Sequence, residues 1–262
     1  PHTPILPTKE WQGKSSLGSY GYFVMQTDHV MGEIRKALKV TGQDKNTLII
    51  FTSDNGCSKA ANIPELAKQG HEVSANLRGS KADLWDGGHR IPFIVKWPGR
   101  VKAGSQSDQL ICLTDLFSTV GEIIGVKVPS GSCEDSVSFL PALSGEKIKS
   151  TRKGLIHHSI SGHFAYRMGK WKLLLAKASG GWTSPKENQV KAGAPNAQLY
   201  NMDMDIGEQK NLYEKENKIV SEMLSNLESD VRRGRSTDGP KSKNDISEIV
   251  LWKSGEKSKS KR

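Results

Sequence analysis

Apolar residues recur along this chain with two different periods, and the change of period divides it. From Leu17 to Leu38 they fall at Leu17, Tyr20, Val24, Met31, Ile34 and Leu38, one face of an amphipathic α-helix that Gly42 is placed to end. Thr47 to Thr52 then forms an unbroken β-branched and aliphatic run of strand length, the pattern of a strand buried on both faces of a parallel sheet. A second run, Ile91 to Trp97, is bounded by Pro92 and by Pro98 with Gly99. Asp115 to Ile124 reads as a short helix with Thr114 as its cap. Helix, strand, loop, strand and helix in this order indicate an α/β architecture.

Beyond Gly145 the pattern becomes one of short strands. Gly154–His158, Phe164–Arg167, Trp171–Leu175 and Gln198–Met202 are separated by turns and by a polar loop from Lys177 to Asn196, as in an antiparallel meander. Leu212 to Val231 carries Ile219, Val220, Met223, Leu227 and Val231 at helical spacing, so a helix is expected to pack on that sheet. The expected units are residues 1–147, residues 148–235 and a basic flexible tail, 236–262.

Composition narrows the class. With 262 residues, 35% hydrophobic and 25% charged, the chain has the apolar content to fold, and no apolar stretch is long enough to span a membrane. The net charge of +10 is concentrated at one end: Arg232 to Arg262 holds ten Lys and Arg against four Asp and Glu, which leaves only a small excess elsewhere. The charge therefore describes a solvated terminus, and no nucleic-acid partner is expected. Cys57, Cys112 and Cys133 cannot all pair within one chain and show no metal-binding spacing. The chain starts at Pro1 without an initiator Met and is expected to belong to something longer.

Candidate chemistry collects in loops. Asp54 and Asn55 follow the first strand directly and offer oxygen donors suited to a hard cation, although Asp-Asn-Gly also forms ordinary turns. Leu77 to Pro92 gathers Arg78, Lys81, His89 and Arg90 among small residues, either an anion-binding loop or a polar surface loop. His2, held between prolines in Pro1-His2-Thr3-Pro4, is a candidate proton or hydrogen-bond donor or a plain loop residue. His157 and His158 lie on one expected strand and point to opposite faces, so at most one can face a common pocket.

Taken in order, these segments resemble a known family. Pro1-His2-Thr3-Pro4, Gly18-Ser19-Tyr20-Gly21, Asn46 to Gly56, Leu77-Arg78-Gly79-Ser80-Lys81, Asp86 to Pro92, Ser138 to Gly145, Arg167 to Leu173 and Leu199 to Leu212 are similar, in sequence and spacing, to type I sulfatases, formylglycine-dependent enzymes of the alkaline-phosphatase-like superfamily. The resemblance implies a partial central mixed sheet flanked by helices, followed by a small antiparallel subdomain with a packed helix. It implies Asp54 and Asn55 as ligands of one Ca²⁺, and Lys81 and His2 as catalytic and substrate-binding residues. Lys81 would contact the sulfate, and His2 would assist the leaving group. Arg78 and Arg90 would brace the loop, and His157 or His158 would line the substrate pocket.

Two parts of the family pattern are missing. No Cys or Ser stands in the Cys/Ser-x-Pro/Ala-x-Arg motif that is converted to formylglycine, and the acidic metal ligands of the family's amino-terminal half are absent. The expected function is thus a sulfuric ester hydrolase whose nucleophile lies outside this chain, with a sulfated small molecule or glycan as substrate and a periplasmic, extracellular or lysosomal location. A phosphodiesterase or phosphonate monoester hydrolase of the same superfamily, or a non-catalytic binder of sulfated glycans, are the alternatives. By itself the chain is expected to be inactive.

Overall fold

The computed structural model describes residues 2–129 and 131–253; Pro1 and the last stretch of the expected tail, residues 254–262, lie outside the described residues. Helix α1 (Gly18–Val40) forms where the apolar spacing placed it and ends two residues before Gly42, whose φ is 69°. Strand β1 (Ile49–Thr52) follows, then the short helices α2 (Ile63–Lys68) and α3 (Asp86–His89), strand β2 (Phe93–Lys96), helix α4 (Asp115–Ile123) and the single turn α5 (Leu140–Leu143). Next come β3 (Leu155–His158), β4 (Phe164–Met168), β5 (Trp171–Leu174), β6 (Gln198–Asn201) and helix α6 (Asn217–Arg233).

Two expectations about the first half are corrected. Among the described residues β1 pairs only with β2, and the pairing is antiparallel, with Ile49 opposite Lys96 and Thr52 opposite Phe93. No residue of β1 is fully buried. A run of β-branched residues suits a strand covered on both faces, but it does not encode the direction of the neighbouring strand. Thr114 does not cap α4 through its side chain. Its hydroxyl lies 2.8 Å from Cys112 Sγ, and the Asp115 carboxylate accepts the Cys112 N–H at 2.9 Å instead.

The second half matches its pattern closely. Strands β3 to β6 form a four-stranded antiparallel meander in sequence order. Side-chain alternation sorts it into two faces. Phe164, Tyr166, Leu173 and Leu199 pack against Val220, Met223 and Leu227 of α6. Ala165, Leu174 and Tyr200 pack on the opposite face against Leu84 and Trp85, which belong to the loop preceding β2. Leu84 and Trp85 are almost wholly removed from solvent, and burial of side chains this size is worth on the order of 2–3 kcal/mol each. The small sheet is therefore sandwiched between its own helix and a loop from the first half of the chain.

The basic tail is less loose than expected over its described part. Ser236 donates through its backbone and hydroxyl to Asp135 Oδ1 at 2.9 and 2.7 Å, the Thr237 N–H donates to the Glu134 carbonyl at 3.1 Å, and Arg235 is buried. Ile249, Leu251 and Trp252 pack against the core formed with α6. These three are partly buried, while Ile246 and Val250 beside them stay exposed, so one side of this stretch of the tail covers the core.

Candidate active site

Three segments far apart in sequence meet just beyond the carboxyl end of β1. The Gly56 N–H donates to the Gly88 carbonyl at 3.0 Å, and the Lys81 N–H donates to the Cys57 carbonyl at 2.9 Å. These bonds stitch the Asp54-Asn55 turn to the loop that carries Lys81. The contact needs glycine: a Cβ on Gly56 would stand 1.8 Å from the Gly87 carbonyl oxygen. The amino-terminal segment closes the site, with His2 Nε2 3.2 Å from Lys81 Nζ.

The hydrogen bonds define the chemistry of this pair. His2 Nδ1 lies 2.8 Å from the Thr3 carbonyl oxygen, which can only accept, so Nδ1 carries a proton. In the neutral ring Nε2 is then the lone-pair nitrogen, and it accepts from the Lys81 ammonium. No carboxylate pairs with Lys81 or His2 among the described residues. A cation and an imidazole sharing a proton, with no acid to neutralise them, form a place for an anionic ester.

Asp54 is exposed and Asn55 half-buried. An Asp-Asn-Gly turn commonly spends its side chains on its own backbone. Here the Ser53 hydroxyl does that, donating to the Asn55 carbonyl at 2.8 Å. Among the described residues neither the Asp54 carboxylate nor the Asn55 amide is committed to a hydrogen bond or ion pair. Both are hard oxygen donors, so their chemistry fits Ca²⁺, which takes about six to eight oxygens. They supply only part of such a shell, and no three His, Cys, Asp or Glu side chains converge on a metal site among the described residues.

Behind Lys81 lies a set of buried polar groups that sequence reading did not single out. Asp83 Oδ2 accepts the Ser80 N–H at 2.8 Å, and its Oδ1 accepts the Trp182 and Thr183 N–H groups at 2.8 and 2.9 Å, which ties the lysine loop to the loop after β5. Lys172 of β5, wholly buried, stands 2.6 Å from Asp86 Oδ1 and 2.8 Å from Glu208 Oε1. The second contact is an ion pair without hydrogen-bond alignment. Burial works against ionisation of Asp86, but Lys172, Arg167 and Arg90 outweigh it and hold the carboxyl below its ordinary range. Burial raises Glu208, with Lys172 opposing. Period-two alternation in β5 placed Lys172 on the same face as Leu174, a usable signal; nothing local marked Glu208.

The two candidate strand histidines do point to opposite faces, and neither touches Lys81 or His2. His157 packs at 4.2 Å between ring centroids against His89, its Nε2 3.3 Å from the Leu84 carbonyl. Desolvation drives the His157 pKa well below its usual value and, with Lys172 adding to it, that of His89 down to about 4. His158 is exposed and lies edge-on to Phe164. Arg78 braces the loop as expected, donating to the Glu208 carbonyl at 2.7 Å with its guanidinium 3.6 Å over the Trp85 ring. The exposed Arg90 side chain makes no such contact.

The chain is similar to proteins of one family. The Sulfatase family model matches residues 1–126, and the model for the carboxy-terminal region of N-sulphoglucosamine sulphohydrolase matches residues 80–184. The chain is 31% identical over 234 residues to the N-acetylgalactosamine-6-O-sulfatase of Bacteroides thetaiotaomicron, covering 87% of this chain and 45% of that one. It is 34% identical over 160 residues to human steryl-sulfatase, covering 60% of this chain and 27% of the relative. Among solved structures, a protein of the glycosaminoglycan-metabolism locus of Bacteroides thetaiotaomicron superposes with a TM-score of 0.74 at 29% identity, over 87% of this chain and 48% of that one. The Ps i-CgsB protein in complex with k-i-k-neocarrahexaose superposes at 0.69 and 25% identity, over 92% and 50%. The chain thus spans about half the length of the first of these relatives. With its alkaline-phosphatase-like fold and its matches to two sulfatase models in succession, the chain belongs to the sulfatase family.

Proposed function

We propose that this chain contributes the sulfate-holding and leaving-group half of a sulfuric ester hydrolase acting on sulfated glycans. The observation that carries the reading is the Lys81–His2 contact at 3.2 Å, made across 79 residues of sequence and seated beside the turn bearing Asp54 and Asn55. Lys81 would donate to a sulfate oxygen, where charge builds as the S–O bond breaks. The proton that the Lys81 ammonium shares with His2 Nε2 would pass through this pair to the departing ester oxygen, leaving Lys81 and His2 one proton short. Asp54 and Asn55 would hold Ca²⁺ together with ligands from outside this chain; Ca²⁺, when bound, polarises the sulfate oxygens. The attacking group, a formylglycine in the family resembled, is not among these residues.

The glycan preference draws support from relatives named N-acetylgalactosamine-6-O-sulfatase and N-acetylgalactosamine-6-sulfatase and from the neighbour solved with k-i-k-neocarrahexaose. Export from the cytoplasm is part of the same reading, and among the described residues no helix is long and apolar enough to cross a membrane. Lys81→Ala and His2→Ala, each made in the protein that carries the whole active site, should reduce aryl sulfate turnover by about a hundredfold or more. Both residues sit in loops and neither is buried, so thermal midpoints should stay at the parental value. Parental turnover in either variant would remove that residue from the mechanism.

A further inference from the structure

The Lys81 loop does not hold its shape alone. We propose that Lys172, on β5 of the small sheet, is a positioning residue for Lys81, acting through Asp86 and Glu208. Glu208 grips the loop on both sides of Lys81: its carbonyl accepts from Arg78 Nη1 at 2.7 Å, and its Oε2 accepts the Asp86 N–H at 2.6 Å. Lys172 sits between the Asp86 and Glu208 carboxylates, 0% exposed, at 2.6 and 2.8 Å. Glu208 occupies the left-handed region at φ 51°, unfavourable for a residue with a side chain, and the Asp205 carboxylate holds that turn by accepting from the Gln209 and Lys210 N–H groups.

A buried ion cluster is a poor way to gain stability, since apolar residues of similar volume do as well. What it provides is direction. Hydrogen bonds from the Leu84 N–H to the Ser179 carbonyl at 2.8 Å and from Trp85 Nε1 to Gln198 Oε1 at 3.1 Å fix the middle of the loop on the small sheet, and the lysine with its two carboxylates, which fit in one arrangement, fixes the stretch that follows. Without the ammonium, two carboxylates would face each other in a dry site, and the loop from Arg78 to His89 would open to separate them. The displacement would carry Lys81 away from His2, because both ends of its loop would move.

The inference rests on the sulfatase reading for its kinetic readout only. In the 262-residue chain, the His2 Nε2 nitrogen shift in NMR reports the Lys81 contact, with Lys81→Ala marking the value when the contact is lost. Lys172→Met and Glu208→Gln are expected to move the His2 signal toward that value. Tyr166→Phe, which removes a buried hydrogen bond to Asp230 on the opposite sheet face, should leave it in place. In the protein with the whole active site, Lys172→Met should lower kcat about a hundredfold, with KM changed far less and Lys172→Arg restoring part of the loss. An unshifted His2 signal in a folded Lys172→Met chain would overturn the proposal. If that variant does not fold, Glu208→Gln decides in its place, since it keeps an acceptor for the Asp86 N–H. If the parental protein itself fails to cleave an aryl sulfate, the sulfatase reading falls, and the His2 signal still decides the positioning role.

Discussion

Alanine at Gly56 puts the junction of the two site loops under direct strain. The new Cβ would meet the Gly87 carbonyl oxygen at 1.8 Å and its carbon at 2.8 Å, whereas real Cβ contacts essentially never fall below 3.0 Å. The obstacle is backbone, so no side chain can turn aside, and the loops must part by more than an ångström. That opening breaks the 3.0 Å bond from the Gly56 N–H to the Gly88 carbonyl and pulls on the 2.9 Å bond from the Lys81 N–H to the Cys57 carbonyl. Overpacking costs about 1–3 kcal/mol, and a backbone bond left unmade about 1–3 kcal/mol more. The two overlap because one movement relieves the clash and breaks the bond, so the expected loss is about 2–5 kcal/mol. Chemical denaturation followed by tryptophan fluorescence measures it. Gly32→Ala is the control, since nothing lies within 4 Å of a Cβ there and the site is inside α1; it should stabilise by up to about 1 kcal/mol. A Gly56→Ala protein within about 0.5 kcal/mol of the parent would refute the close approach, and with it the joining of the Asp54 turn to the Lys81 loop.

Arg152→Met should cost about 3–5 kcal/mol in denaturant unfolding, because Arg152 donates to both oxygens of the buried Asp115 at 2.6 Å and its loss strands that carboxylate. Acidification should destabilise the fold through the buried histidines. With the His89 pKa depressed to about 4 from 6.5, the unfolded chain binds protons that the folded one refuses, so its contribution is present above about 6.5 and lost as pH falls toward about 4. The His89→Gln variant should show a shallower fall in unfolding midpoint over that interval; a parental slope would place the proton uptake elsewhere. Finally, the purified 262-residue chain should not cleave an aryl sulfate even with excess Ca²⁺, and turnover above that of an Asp54→Ala control would reveal a nucleophile within these residues.

Local periodicity was enough for the helices and the meander. α1 and α4, and β3 through β6, stand where apolar spacing put them, and α6 starts five residues after the Leu212 from which it was read; each must bury one stripe or one face and writes that need into adjacent residues. His2, Asp54, Asn55 and Lys81 were candidates from their loop chemistry, but only the resemblance to the sulfatases separated them from ordinary turn and loop residues. Tertiary structure alone decided the antiparallel direction of β1 with β2, the docking of Leu84 and Trp85 on the small sheet, and the packing of Ile249, Leu251 and Trp252 against the core. It alone also joined Lys172 to Glu208 and His2 to Lys81. These pairings link residues from tens to more than a hundred positions apart, and a side chain carries no record of a partner that distant. Hydrophobicity and charge along the chain say what a residue needs; only the folded chain shows which residue meets that need.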